Sequence, residues 1–425
     1  MISLPRMVAV RQVFAPTPKV EIDSTVRSEL AKLRPRLRKG MRIAVGVGSR
    51  GIAHFADITA AVVSELKVFG TEPFLIPAMG SHGGATPAGQ LEVLASYGIT
   101  PESMGVPILA SLDVREVGRT ADGVAAFCST DALQADGIIL INRVKPHTDF
   151  FGSIGSGLLK MCVIGLGKRK GAETMHLAAT EFGYERAIRT MAQSIIDNTA
   201  MIGGIAVVEN QFHETALVEA VDRDDMPAAE ERLHAVAKSL MPLLPFDEID
   251  LLIVDRMGKN ISGTGMDPNV INRSIHGYDS LPVRGDRSTP FIKRIFVRGL
   301  TAETAGNAIG IGMADAVTTQ CAQDVDHRKT SINALTALTP QSAKIPIVFD
   351  SDQEAIERML VSLPLVDYRT ATVVRIADTL STAHMLVSEA LLDRRPTTTQ
   401  LERLSAAEEL RFDALGNLIG ETVGH

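Results

Sequence analysis

The 425-residue chain is 45% apolar and 22% charged, with 35 Gly and 20 Pro, a make-up that fits a soluble globular protein and excludes disordered, fibrous and membrane-embedded classes. A net charge of -7 leaves no cationic footprint for nucleic acid, and 4% aromatic residues with no Trp disfavour sugar- and base-stacking surfaces. Cys128, Cys162 and Cys321 are odd in number and far apart, which excludes a paired disulfide framework and a Cys-x-x-Cys metal site.

At this length two domains are the simplest expectation. No stretch approaches the ~18 consecutive apolar residues of a membrane span, and the first residues lack the apolar core of a signal peptide, so the expected location is cytoplasmic. From Arg42 onward short β-rich runs alternate with amphipathic stretches, the pattern of βαβ units building parallel sheets covered by helices. Residues 42–48 (RIAVGVG) predict a buried strand, 54–70 a helix closed by Gly70, and 72–79 the next strand. A helix follows over 86–98 with Pro87 in its first turn, then a buried strand over 137–142 (GIILIN). The segment 143–176 is too rich in Gly for a continuous helix and too apolar for a solvated loop. It is expected as a long, ordered, irregular connection, a feature that is usually functional inside a compact domain. Helical stretches over 177–198, a strand over 203–210 and a helix over 227–240 complete the first half. The Pro-rich passage 241–250 is the expected linker, after which a strand over 251–255, a Gly-rich loop over 258–268 and a strand over 292–298 restart the alternation. The fold class is therefore α/β, with two mainly parallel domains, residues 1–245 and 246–425, and an active-site cleft between them.

Gly46-Val47-Gly48-Ser49-Arg50-Gly51 has the G-x-G-x-x-G spacing, after a strand and before a helix. The acidic residue that a dinucleotide site wants at the end of the second strand is missing, because Pro77-Ala78-Met79-Gly80-Ser81-His82 stands there. What the turn retains is backbone N–H groups able to hold a phosphate or carboxylate, with Arg50 as a charged fork. His82, flanked by glycines at a strand end, suits proton transfer, although a histidine bonded to loop carbonyls has the same pattern. Lys145-Pro146-His147 places a second histidine at a strand end. Two bases facing one pocket are what inversion of a stereocentre requires. Gly152–Gly157 is not a phosphate-binding P-loop, since Leu158-Leu159 replace the Lys-Ser/Thr pair. Lys160 sits in the apolar run LLKMCVIGLG, where a lone ammonium is costly unless it is paired, deprotonated or covalently used. His176 is a candidate metal ligand.

Taken in order, Arg50, His82, His147, Lys160 and, sixteen residues on, His176 resemble the nickel-pincer lactate racemase family. The resemblance implies a pyridinium mononucleotide whose two thio groups and ring carbon bind nickel, tethered through a thioamide at Lys160, with His176 completing the coordination. It implies His82 and His147 as acid/base residues, Arg50 near phosphate and substrate, and Gly48, Ser49, Gly51 and Gly265 at the cofactor. The implied activity is racemisation or epimerisation of a small 2-hydroxy acid by reversible hydride transfer. The sequence departs from the family at the first turn, where Val47-Gly48-Ser49-Arg50-Gly51 replaces Asp-x-Thr-Arg-Pro, and in the second domain, where Ser262–Asn269 replaces a turn followed by Tyr-Gln. Two other readings are a nicotinamide-dependent dehydrogenase using residues 46–51 and a non-catalytic protein holding a phosphorylated ligand on its glycine loops. The expected partners are the small substrate and, at most, further copies of the chain.

Overall fold

A computed structural model describes residues 2–48, 51–80, 82–148, 150–276, 290–394 and 400–420. The chain divides into two compact units, Pro16–Met241 and Met1–Ala15 with Pro242–His425. In chain order the strands are β1 (Met7–Val13), β2 (Arg42–Val47), β3 (Glu72–Pro77), β4 (Val114–Arg119), β5 (Ala125–Ser129), β6 (Gly137–Arg143), β7 (Met201–Glu209) and β8 (Thr215–Asp222). They continue with β9 (Glu248–Val254), β10 (Phe291–Val297), β11 (Ala316–Thr318), β12 (Ile347–Phe349), β13 (Val373–Ile376), β14 (His384–Ser388) and β15 (Gln400–Arg403).

In the Pro16–Met241 unit one sheet has the order β3-β2-β6-β7-β8, parallel up to β7 with β8 antiparallel at the edge. The parallel strands are near-continuous apolar runs because both of their faces are covered. Alternate residues face opposite layers: Ile43, Val45 and Ile139 pack with the Phe55–Val68 helix, while Ala44, Ile138 and Leu140 pack with residues of the 168–198 and 226–239 helices. A separate hairpin pairs β4 with β5.

The other unit holds a sheet of order β12-β11-β10-β9-β13-β14-β1-β15, parallel from β12 to β13 and antiparallel beyond. Residues 1–15, grouped by the sequence with the N-terminal half, thus fold with the C-terminal one. The ladder from Met7↔Ser388 to Arg11↔His384 holds β1 there, and Val8 and Val10 are buried against Leu252 and Val387. The break at Met241 falls inside the Pro-rich passage. Both units are α/β with mainly parallel strands. Among the described residues no helix is long and apolar enough to cross a membrane.

The segment expected to be irregular over 143–176 is irregular only to Gly157. Leu158–Lys160 is α-helical, Met161–Leu166 is a π-helix, and Lys168–Phe182 is α-helical again. Its glycines do not break the helix; they make room inside it. The wide turn aims the Val163 carbonyl down the axis, so that a Cβ on Gly167 would lie 2.2 Å, and one on Gly171 2.5 Å, from that oxygen. Because backbone oxygen cannot swing aside, Gly167→Ala should cost ~1–3 kcal/mol of stability in urea unfolding. An unchanged midpoint would mean that the turn has slack.

Candidate active site

Strand β6 ends in Asn142-Arg143, and the chain runs out through Lys145-Pro146-His147 before doubling back. Lys145 and Ser156 exchange both backbone hydrogen bonds at 2.8 Å, which closes the loop between them. A Cβ on Gly155 would stand 2.3 Å from the Lys145 carbonyl oxygen, so the return strand needs glycine there. The Asn142 amide then donates to the Gly157 carbonyl at 2.8 Å, and the helix that carries Lys160 begins. The result brings two of the sequence-derived candidates into direct contact: the Lys160 Nζ meets the His147 Nε2, with the Ser156 Oγ 3.3 Å away.

His147 is buried and layered with aromatic rings. Its imidazole stacks on Phe150 at 4.7 Å, and Phe150 stacks on Tyr184 at 5.3 Å and 6°. His176 meets the same Tyr184 ring edge-on, with centroids 6.1 Å apart. In an unbroken α-helix, the sixteen residues from Lys160 to His176 would turn the two side chains ~160° apart. The intervening π-turn takes up part of that rotation, and both residues end beside the Tyr184 layer. A cavity of about 530 Å3 opens beside this layer, walled by Phe150, Phe151, Phe182 and Tyr184 with Arg186 and Arg189.

The ends of β2 and β3 converge on the same helical run. A Cβ on Gly48 would sit 2.8 Å from the Met161 Cε, the residue after Lys160, so glycine permits the close approach. The strand end leading to His82 rests on the run as well: a Cβ on Gly80 would lie 3.0 Å from Ile164 and 3.4 Å from Ala172. His82 itself is half-buried on extended backbone. Gly51 is exposed and its nearest neighbour is Tyr97. Ser49 and Arg50 lie outside the described residues. Gly265 belongs to the other unit, at φ +78°, where a Cβ would meet the Ile309 carbonyl at 2.2 Å; its own turn accounts for the glycine.

The dinucleotide reading of residues 46–51 loses its structural context. Gly46 lies inside β2, paired with Ile76 and Leu140, and the following helix begins only at Phe55. A dinucleotide fingerprint needs the helix to open at the glycines themselves.

Three residues escaped the sequence. Tyr184 joins the two histidines, and its only advance sign was an aromatic pair, Phe182 and Tyr184, astride the helix-breaking Gly183. Glu230, on the Met226–Ser239 helix, is fully buried and accepts the Leu159 N–H at 3.1 Å; burial pushes its carboxyl up to about 7, against the pull of the Leu159 and Leu158 amides and the Arg189 and Lys160 charges. Lys168 is 1% exposed at φ +52°, its ammonium donating to the Pro77 carbonyl at the end of β3. Burial lowers it to about 8, opposed by Asp131 and Cys128. Among the described residues no three His, Cys, Asp or Glu side chains gather as a metal cluster.

No protein-family model and no curated protein sequence matches the chain. Among solved structures, the lactate racemase apoprotein from Thermoanaerobacterium thermosaccharolyticum superposes with a TM-score of 0.55 at 12% identity, over 88% of this chain and 99% of that one. The chain has a lactate-racemase-like fold. At this identity the likeness speaks for the fold, and the chemistry has to come from the side chains.

Lys168 provides a test of the core beneath the site. A lysine whose folded pKa is depressed to about 8 binds fewer protons than the unfolded chain, whose lysine titrates at 10.5, so stability rises with pH between those two values. Lys168→Met should flatten that rise in urea unfolding across the same window. A slope identical to wild type would mean that Lys168 is not the titrating group.

Proposed function

We propose that the chain is a racemase or epimerase of a small 2-hydroxy acid, carrying a nickel-pincer nucleotide on Lys160. The contact between the Lys160 amine and His147 is the observation that supports it most directly. A tethering lysine must be reachable yet screened from bulk water, and Lys160 is half-buried at the mouth of a helix with a base against its nitrogen. The group would be held through the Lys160 amine, and the His176 imidazole, beside the same Tyr184 ring, would be the protein's own ligand to its metal. When bound, the group supplies the hydride acceptor for the substrate's C2.

The chain's own residues handle protons, anions and water. His147, with its Nε2 beside the tether nitrogen, takes the hydroxyl proton of one enantiomer and returns it to the product of the other. His82, beyond the end of β3 with β2 between it and β6, does the same on the opposite face. Arg50 and the backbone of Gly48, Ser49 and Gly51 hold the anionic groups of substrate and nucleotide. The Phe150–Tyr184 stack shuts water away from one side of His147, which strengthens every polar interaction behind it.

Protein co-expressed with a cofactor-making pathway should show added mass on the peptide containing Lys160, and Lys160→Ala should fold but remain at its apo mass. Unmodified Lys160 in such a sample would sink the assignment. In loaded protein, His147→Ala should lower oxidation of one enantiomer by ~10² to 10⁴-fold while leaving a single half-reaction with its mirror image, read as an absorbance change stoichiometric with enzyme. Equal losses for both enantiomers would remove His147 from the acid/base role.

A further inference from the structure

The parallel strands of the first sheet end at one edge, and the topology says where along that edge a ligand belongs. In the order β3-β2-β6-β7-β8 the chain moves to one side from β2 to β3 and to the other from β6 to β7. The crevice outside the carboxyl ends of β2 and β6 is therefore the switch point, where open α/β sheets bind their ligands. The register Val47↔Ile141 sets the two strand ends side by side. The last residue of β6 is Arg143, a side chain that the chemistry above does not use.

Asn142 turns toward the Lys160 helix, where its amide holds the Gly157 carbonyl. By the alternation of the strand, Arg143 lies on the opposite face, that of Ile139 and Ile141. There its Nη1 donates to Glu209, the last residue of β7. The other oxygen of that carboxylate accepts the Ala53 N–H at 2.8 Å, and the Thr215 hydroxyl donates to the Ala53 carbonyl at 3.2 Å. Ala53 belongs to the turn between β2 and the Phe55–Val68 helix, so one buried carboxylate fixes both that turn and the guanidinium beside it.

The guanidinium is held at one nitrogen only. The Arg143 side chain is 19% exposed, and among the described residues Glu209 is its one hydrogen-bond partner. Arginines buried to a similar depth elsewhere in the chain use more of their donors. Arg298, 20% exposed, donates from Nε, Nη1 and Nη2 to Asp352, Asp255 and the Leu418 carbonyl. Arg273, 15% exposed, reaches Asp315 and the Met313 carbonyl from two nitrogens. The Nε and Nη2 of Arg143 have no such protein acceptor, yet neither is sealed from solvent. That edge has the geometry to meet the paired oxygens of a carboxylate or phosphate. The pair with Glu209 does not by itself explain the arginine, because an ion pair largely withdrawn from water adds little net stability.

We infer that Arg143 is an oxyanion-binding residue, its Nε–Nη2 edge held by Glu209 for a carboxylate or phosphate group in the crevice between the ends of β2 and β6. Because Glu209 already fixes the guanidinium, little side-chain ordering is left for a ligand to impose. That the anion belongs to a 2-hydroxy acid or to a nucleotide rests on the function proposed above; the oxyanion site itself belongs to the bare protein.

The test uses the cofactor-free full chain and phenylglyoxal, which condenses with arginine side chains, and follows modification of the Arg143 peptide by mass spectrometry. Arg169, whose side chain is 67% exposed, is the internal standard. Inorganic phosphate and lactate are added in separate arms at constant ionic strength, so that screening stays the same in all samples. Arg143 should react without anion and slow by ~3-fold or more as an anion is raised past its dissociation constant, while Arg169 keeps its rate. Protection by phosphate alone assigns the edge to a phosphoryl group, protection by lactate alone to a carboxylate, and protection by both to oxyanions of either source. An Arg143 that does not react, or that reacts equally fast with and without both anions, overturns the inference and leaves a structural ion pair. Arg143→Lys keeps the charge beside Glu209 but loses the fork, so binding of the protecting anion, measured by calorimetry, should weaken by ~10-fold or more. Binding equal to wild type overturns the inference as well. No nucleotide is involved, so an unprotected Arg143 leaves the tether reading standing, and an unmodified Lys160 in co-expressed protein leaves the Arg143 site standing.

Discussion

The corner at Gly157 is the constraint on which the rest of the site depends. The loop leaving β6 has to travel out to His147, return through Gly155 and start a helix in the space beside Asn142 and Glu230. Each requirement removes side-chain volume: glycine at 155 lets the return strand touch the Lys145 carbonyl, and glycine at 157 lets the buried carboxylate reach the first amides of the helix. A carboxylate at a helix N-terminus satisfies donors that would otherwise be orphaned and complements the helix dipole. Once that end is fixed, Lys160 falls in the first turn, with its amine against the His147 imidazole.

The two lysines of this run show how differently one sequence neighbourhood can treat a cation. Lys160 stays half-buried against an imidazole and a hydroxyl. Eight residues later, Lys168 is sealed from water in a left-handed conformation with a carbonyl as its recorded hydrogen-bond acceptor, a combination that costs conformational and desolvation energy at once. What it does in return is structural and visible: it ties the start of the long helix to Pro77, the last residue of β3, five residues before His82. The strand end that leads to one candidate base is thereby anchored to the helix that carries His176.

The parallel strands of the first sheet were legible because strands covered on both faces are written as unbroken apolar runs, such as GIILIN and RIAVGV. Strands β1, β4, β5 and β8 were not. β4 is largely solvent-facing, with Arg115, Glu116 and Arg119 among its residues, so it lacks the apolar signal, and β1 finds its partners nearly four hundred residues away. The long helix of the site was hidden by its own glycines, because Gly165, Gly167 and Gly171 look like breakers until the π-turn is known to need them. Lys160, His147 and His176 could be picked out as candidates one at a time, by cost and by resemblance. Their mutual arrangement depends on Tyr184 and Glu230, which reach them only through tertiary packing. Lys168 was masked by Arg169 and Lys170 beside it, since three bases in a row read as a solvated surface.

A glycine-rich loop is a poor guide to function until its crowding is known. In the C-terminal unit, Gly265 and Gly310 interlock: a Cβ on Gly310 would lie 1.8 Å from the Thr264 carbonyl oxygen, and one on Gly265 would meet Ile309. Both adopt positive φ, and both are pressed by backbone, so folding alone demands them. Gly157 differs on each count. Its backbone is extended, and what presses on it is the carboxylate of Glu230, a side chain that an ordinary core would not contain. A glycine kept for a turn says only that the chain turns there. A glycine kept to admit a buried carboxyl says that the fold keeps an acid against the first amides of the Lys160 turn.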